Sequence, residues 1–241
     1  MNIHLLRIEK ELNGMQVILH PVLLTINGRH YLIDCGYEET YDELVQQLQQ
    51  LGLAVSDLYA LLISHDDIDH LGAVALLKAQ HPRLLVYCSD VEEASVSGAI
   101  KSERLEQAER SLAVLPPEHL PWARQFIQKL QQIKRIQPDG TFTDGEWIEG
   151  ELQVIATPGH TKGHVSFYIP AQQTVIACDA VVVENDALNI ANPQFTLDLP
   201  KAVQSVAFIK SLKPETLICY HGGLLAEDLE KKLEVLVEQY K

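Results

Sequence analysis

The sequence predicts an α/β protein of two similar halves, each a mixed β-sheet with helices on its outer face, the two sheets packed against each other as an αββα four-layer sandwich. Three observations predict it. Short alternating runs open the chain, a helix-rich middle follows, and strand-like runs return from Phe142 before a closing amphipathic helix. The chain has 241 residues, of which 46% are hydrophobic and 22% charged, enough to bury a large core in one domain spanning 1–241. There are no repeats, low-complexity tracts or Gly/Ser linkers to divide it.

The first strands are expected at 2–7, 15–19, 22–26 and 30–34. Asn13-Gly14 and Asn27-Gly28 separate neighbouring runs, and Asn-Gly between alternating segments favours a tight hairpin, so an antiparallel meander ending at Ile33-Asp34-Cys35-Gly36 is expected. A helix follows over 41–51, with Leu44, Val45, Leu48 and Leu51 on one face and Gly52 as its stop. A strand at 61–64, a helix at 71–79 and a strand at 84–87 read as a strand–helix–strand unit. Residues 91–136 are mostly helical, broken by Pro116-Pro117 and Pro121, with Trp122, Phe126, Leu130 and Ile133 at near-helical spacing. This stretch is either a helix packed on the body or an inserted cap over a site. Strands then fall at 147–149, 152–157, 164–169, 174–178 and 216–220. Helices fall at 199–212, capped by Asp198, and at 227–240, with Leu229, Leu233, Leu236 and Val237 turned inward.

Composition narrows the function. A net charge of −14 with no basic cluster speaks against a nucleic-acid partner. No stretch approaches the roughly 18 unbroken apolar residues of a membrane helix. Residues 1–10 place Arg7, Glu9 and Lys10 in an alternating pattern unlike a signal peptide. Cys35, Cys88, Cys178 and Cys219 match neither a zinc-knuckle nor a Cys-x-x-Cys spacing and read as free thiols of a cytoplasmic protein. The expected partner is a small-molecule substrate. Oligomeric state is not encoded in any visible pattern.

Ser64-His65-Asp66-Asp67-Ile68-Asp69-His70 concentrates two imidazoles and three carboxylates after an apolar strand. Crowded carboxylates repel unless a cation or proton offsets them, and divalent cations accept this His/Asp mixture. One loop cannot complete a coordination shell. Three later strand ends offer further ligands: Thr157-Pro158-Gly159-His160-Thr161-Lys162-Gly163-His164, Cys178-Asp179, and Tyr220-His221-Gly222-Gly223. Asp66 reads as an outward-facing carboxylate, His164 as a strand residue making a supporting hydrogen bond, and Cys219 as a core thiol. His4, His30, His81 and His119 have no partner by spacing, and His20 is at most a rim residue.

These segments, in this order, resemble the metallo-β-lactamase superfamily, whose pattern is His-x-His-x-Asp-His, a Gly-His-Thr-x-Gly-His loop, a strand-end Asp and a late Gly-His-Gly. Ile33-Asp34-Cys35-Gly36 looks like that family's early Asp-x-Gly turn. The resemblance implies a hydrolase with a dinuclear metal site. His65, Asp67 and His160 would hold one ion, Asp69, His70 and His221 the other, and Asp179 would bridge them. A hydroxide between ions roughly 3.5–4 Å apart would attack an ester-like bond. Asp69 would be the catalytic carboxylate, orienting the nucleophile and passing a proton to the leaving group. Carboxylic esters, lactones and thioesters are the first substrate class and phosphodiesters the second.

The sequence departs from the pattern at Asp67, which stands where the family has its second histidine. Carboxylates are harder ligands than imidazole, so zinc, implied by the family, competes with manganese or iron here. An acid at this position also resembles the family's di-iron branch, which binds or reduces dioxygen or nitric oxide. Against that branch stand the hydrolase form of the 159–164 loop and the lack of a flavodoxin-like segment. A catalytically silent ligand-binding protein is the third reading. Val182 occupies the place where lactone-hydrolysing members carry a tyrosine, which removes their usual electrophilic helper.

Overall fold

Alternation and turn chemistry build the first sheet. In the computed structural model, which describes residues 1–12, 14–184, 187–191 and 195–240, Val22–Ile26 pairs antiparallel with Arg29–Ile33 across the two-residue turn Asn27-Gly28. Both turn residues have positive φ, 50° and 77°, the backbone a two-residue hairpin demands and the reason Asn-Gly is favoured there. The strands of this half are β1 Asn2–Leu5, β2 Ile8–Leu12, β3 Met15–Leu19, β4 Val22–Ile26, β5 Arg29–Ile33, β6 Leu58–Leu62, β7 Leu85–Ser89 and β8 Gly140–Phe142. Its helices are α1 Tyr41–Gln50, α2 Ile68–Leu71 and α3 Val74–Gln80. The six-stranded sheet runs β1-β4-β5-β6-β7-β8.

The expected meander is corrected here. β1 pairs with β4, not with its sequence neighbour. β2 and β3 leave the sheet as a separate two-stranded ribbon. β2 escaped notice because Glu9, Lys10 and Glu11 interrupt its apolar residues. Asn13 of the Asn13-Gly14 turn lies outside the described residues, while Gly14 has φ 77°. The helix expected over 71–79 is α3, which starts only at Val74 after α2 ends at Leu71, and β8 is too short for its three residues to carry a period.

The second half holds β9 Trp147–Ile148, β10 Leu152–Ala156, β11 Val165–Ile169, β12 Thr174–Cys178, β13 Val182–Glu184, β14 Ala187–Asn189, β15 Thr216–Cys219 and β16 Gly223–Leu225. Its six-stranded sheet runs β16-β15-β12-β11-β10-β9, and β13 pairs with β14 apart from it. Between the halves lie the short α4 Glu93–Val96, then α5 Glu103–Ser111 and α6 Leu120–Gln132. α7 Leu199–Ser211 and α8 Leu229–Glu238 complete the chain. Asp198 caps α7 by accepting from the Lys201 N–H at 3.1 Å.

Strand periodicity sorts side chains into layers. Val22, Leu24, Ile26, Ile33 and Leu62 of the first sheet meet Val154, Val165, Phe167, Ile176 and Ile218 of the second in one buried cluster. The alternate residues Leu23, Leu32, Leu61 and Val86 face outward onto Leu44, Leu48, Val74 and Leu77 of α1 and α3. On the far side, Val175, Ala177 and Leu217 pack on Val206 and Ile209 of α7 and Leu233 and Leu236 of α8. Helix, sheet, sheet, helix is therefore the layer order. Leu51, expected inward, is 40% exposed at the end of α1. No helix among the described residues is long and apolar enough to cross a membrane.

Candidate metal centre

The candidate residues lie in the segments that follow β6, β10, β12 and β15, and all gather at one edge between the sheets. β6 ends at Leu62 and the chain passes through Ser64 into His65. α2 begins after Asp67 and places Asp69 and His70 on one short turn. Gly72 is required behind that turn. A Cβ there would lie 2.3 Å from the Ile68 carbonyl oxygen and 2.9 Å from the Glu38 nitrogen. His160 follows β10, in a loop pressed on the first turn of α7. Gly159 has φ +136°, and a Cβ on it would lie 2.2 Å from the Ala202 nitrogen. Asp198 N–H donates to the Gly159 carbonyl at 2.9 Å and Leu197 N–H to that of His160 at 3.1 Å. Asp179 follows β12 at a register shift against β15. Cys178 there has φ 49°, a left-handed kink that re-aims the next side chain at the strand end. His221 follows β15.

The imidazoles are oriented from behind. Asp34, at φ 58°, turns its carboxylate inward. It accepts from the Ser64 N–H at 2.8 Å, from the Ser64 hydroxyl at 2.7 Å and from His70 Nδ1 at 2.8 Å. The Ser64 hydroxyl, its proton committed to Asp34, accepts from His65 Nδ1 at 2.9 Å. Protons held on both Nδ1 atoms turn both Nε2 atoms towards the cleft. His164 donates from Nδ1 to the Thr157 carbonyl at 3.1 Å and accepts the Asp179 N–H on Nε2 at 3.1 Å. It is a supporting residue, as its position in the sequence suggested. Burial, with the charges of His65 and His160, holds its pKa well below the usual imidazole range.

In the cleft, Asp67 Oδ2 lies 2.9 Å from His160 Nε2 and 3.4 Å from His65 Nε2. Asp69 Oδ2 lies 3.2 Å from His221 Nε2 and 3.9 Å from His70 Nε2. Asp179 stands between these groups, with Oδ1 3.4 Å from His70 Nε2 and Oδ2 3.6 Å from both His160 Nε2 and His221 Nε2. Among the described residues, three sets bring ligand atoms within 4.8 Å of one another: His65–Asp67–His160, His65–His70–Asp179 and Asp69–His70–His221. His65 Nε2, His70 Nε2 and Asp179 Oδ1 are buried with no hydrogen-bond partner among the described residues. An orphaned buried polar atom costs about 1–3 kcal/mol, and cations seated among these atoms would satisfy all three. The seven residues therefore fit a pair of divalent ions.

Electrostatics of the metal-free cleft follow its crowding. Burial pushes Asp67 up, but the Arg104 charge, with the His160 and His65 imidazoles beside it and the Arg104 hydrogen bonds, holds it well below the usual carboxylate range. Burial pushes His221 down, but Asp179 and Asp69 carry it up to about 10. Burial likewise opposes the charge on His70, yet Asp179, Asp34 and Asp69 raise it well above its ordinary value.

The cleft is the floor of a cavity of about 650 Å³. Leu12, Met15 and Val17 of the β2–β3 ribbon form one wall, and Trp122 and Phe126 of α6, with Phe195, form another. Trp122 stacks on Phe126 with ring centres 5.4 Å apart, and Phe126 meets Phe195 at 5.9 Å. Tyr37, absent from the candidates drawn from the sequence, also lines it. So does Val182.

One expectation is overturned. Asp66 is 4% exposed rather than outward-facing, because Arg135 reaches back from the end of the helical segment to pair with it. His20 is buried, donating from Nδ1 to the Tyr220 carbonyl at 3.3 Å, and packs beside Gly223 rather than lining the cavity. The four cysteines are free and buried. Arg104 is the residue the sequence concealed most completely. It lies in a charged helical run and is not among the candidates drawn from the sequence, yet it is 3% exposed.

Comparison with known proteins agrees with this fold. A family model described as the metallo-beta-lactamase superfamily matches residues 20–221. The probable metallo-hydrolase YflN of Bacillus subtilis is 28% identical over 206 residues, 79% of this chain and 74% of that protein. The hydroxyacylglutathione hydrolase of Buchnera aphidicola subsp. Schizaphis graminum is 24% identical over 198 residues, 82% of this chain and 59% of its own length. The crystal structure of the metallo-beta-lactamase family protein TTHA1429 from Thermus thermophilus shares the fold, with a TM-score of 0.73 at 23% identity over 99% of this chain and 79% of that one. The matched range includes the whole stretch from His65 to His221, and the chain belongs to the metallo-β-lactamase superfamily.

Proposed function

We propose that the protein hydrolyses an ester-like bond in a small molecule, a carboxylic ester, lactone or thioester before a phosphodiester, using two divalent cations. His65, Asp67 and His160 would hold one ion and Asp69, His70 and His221 the other, with Asp179 between them. The observation that carries this reading is the set of buried, unpartnered His65 Nε2, His70 Nε2 and Asp179 Oδ1 atoms in that cluster. Its apolar walls suit the acyl or leaving group of an uncharged substrate better than a phosphate chain. The hydroxyacylglutathione hydrolase relative adds support for the thioester class.

When bound, the cations supply Lewis acidity and lower the pKa of water so that a nucleophile exists near neutral pH. The chain's own residues do the rest. Asp34 and Ser64 fix the two imidazoles from behind. Asp69, whose side chain is 15% exposed at the cavity floor, would orient the attacking water and hand its proton to the leaving group. The Tyr220 hydroxyl donates to the Asp69 carbonyl at 2.6 Å and pins the backbone of that acid. Residues 91–136, which bring Trp122 and Phe126 over the cleft, act as a cap on the single domain 1–241 and exclude water around the acyl group.

The test is metal analysis together with a panel of nitrophenyl esters, lactones, thioesters and bis(nitrophenyl) phosphate. Two ions per chain with turnover on the carbonyl substrates is the expected result. A coloured protein with two irons and no hydrolysis would establish the di-iron reading instead.

A further inference from the structure

Arg104 stands in the first turn of α5, after the cap in which the Ser102 hydroxyl accepts from the Leu105 N–H at 3.2 Å. Its guanidinium leaves the helix and enters the floor of the cleft. Nε donates to Asp67 Oδ1 at 2.8 Å and Nη2 to Asp67 Oδ2 at 2.7 Å, a forked pair that engages both carboxylate oxygens. Nη2 also lies 3.2 Å from His160 Nε2. Nη1 donates to Gln107 Oε1 at 2.6 Å and to the Phe195 carbonyl, so the guanidinium is held from several sides. Its carbon lies 5.5 Å from the centre of the Phe195 ring.

Asp67 Oδ2 thus meets three groups at once: Arg104, His160 and His65. Two of these are the partners with which it would hold a cation. The cleft carries three carboxylates, Asp67, Asp69 and Asp179, where a histidine at position 67 would leave two. Arg104 cancels the third. Together, Asp67 and Arg104 are a neutral unit standing where an imidazole would stand. They are not equivalent to an imidazole, because part of the carboxylate's electron density is committed to the guanidinium. In the tautomer with its lone pair on Nε2, His160 also accepts from Arg104. A cation at this position has to compete with Arg104 for two of its three ligands and lies near a fixed positive charge.

We propose that Arg104 is a positioning residue that sets the affinity of the His65–Asp67–His160 position from the helical segment, making it the weaker of the two cation positions. The inference rests on the two-cation reading above. Arg104 and Arg135, from the start of α5 and beyond the end of α6, grip the adjacent Asp67 and Asp66. Cation occupancy of this position is therefore mechanically tied to the docking of the segment between them.

The experiment is competitive titration of Zn²⁺ and Mn²⁺ against a chromophoric chelator at fixed pH, for the native protein, R104M, R104K, D67H and D67H/R104M, with circular dichroism to establish folding. The native protein should show one tight and one weaker ion. R104M should tighten the weaker ion about tenfold or more, the low end of what partners of metal ligands control. R104K keeps the charge and should stay within a few-fold of native. D67H alone should weaken that ion about tenfold, because a neutral imidazole then faces an unpaired guanidinium, and adding R104M should reverse the loss. Weaker or unchanged binding in R104M, or an equal effect of D67H with and without Arg104, overturns the proposal. Should R104M not fold, D67H alone decides: unchanged or tighter binding of the weaker ion overturns it. A native protein that binds no ions would instead reject the two-cation reading itself.

Discussion

Asp34 and His70, 36 positions apart in the chain, meet through a 2.8 Å hydrogen bond in which the imidazole Nδ1 donates and the carboxylate accepts. The same carboxylate takes both the N–H and the hydroxyl of Ser64, which in turn accepts from His65. One acid therefore sets the direction of two candidate ligands. D34N replaces an acceptor oxygen by a donor and cannot serve all three partners. It should lower metal affinity about 10–100-fold while leaving the circular dichroism spectrum unchanged. Native-like affinity in D34N would show that packing alone orients the two rings.

Asp179 touches both halves of the cluster, so its removal should cost more than the loss of one ligand. D179A is expected to retain less than one ion per chain by mass spectrometry and to lose ester hydrolysis. A variant keeping both ions and full turnover would show that Asp179 does not hold the metals.

Glu92 gives a pH dependence separate from catalysis. Its Oε1 accepts from the Thr161 hydroxyl at 2.7 Å and the Gly163 N–H at 2.9 Å, and burial pushes its carboxyl up to about 7 from 4.5. The folded chain therefore binds this proton more tightly than the unfolded chain. The associated stability is complete below pH 4.5 and is lost as pH rises through about 7, for a total of about 3 kcal/mol. E92Q keeps the acceptor without the charge. Its melting temperature, relative to the native protein, should rise between pH 5 and pH 8; a constant difference would show that Glu92 is ionised throughout.

Much of the centre was legible because its chemistry is contiguous. Residues 64–70 follow an apolar strand without interruption, and His160, Asp179 and His221 each follow a strand of their own. Sheet strands announce themselves by period two, and Asp198 by its cap. What stayed hidden depends on distant partners. Arg104 is buried only because Asp67 lies across the cleft, and Asp66 only because Arg135 folds back over it. Neither has a local signature. The β2–β3 ribbon was half visible, because charged residues on β2 look solvated until the ribbon is seen standing off the sheet as a wall of the cavity.

The cap can be tested by substrate size. Trp122 is 51% exposed and stacked on Phe126 at the cavity wall. W122A should raise KM for long-chain or aryl esters about tenfold, the equivalent of losing part of one apolar contact surface, while acetate esters change little. Equal effects on both substrate sizes would place Trp122 outside the substrate's path.

Gly159 tests the loop that carries His160. G159A forces a Cβ to within 2.2 Å of the Ala202 nitrogen at a φ of +136°. Loop and helix have to separate. The expected loss is about 2–4 kcal/mol in unfolding free energy together with reduced metal content. A stable variant with full metal would mean that the loop tolerates displacement from α7.

The floor of the cleft draws His65, Asp67, Asp69 and His70 from one sheet and His160, Asp179 and His221 from the other. With cations bound as proposed, each ion is a rivet through both plates of the sandwich, and it holds only while the plates are aligned. Free metal at a hundred times its dissociation constant would add about 2.7 kcal/mol of cohesion per ion by mass action. The melting temperature of this chain should then track the metal activity around it. Under chelation the seam between the plates should admit solvent first at this edge, before the packed interior near Phe167 gives way.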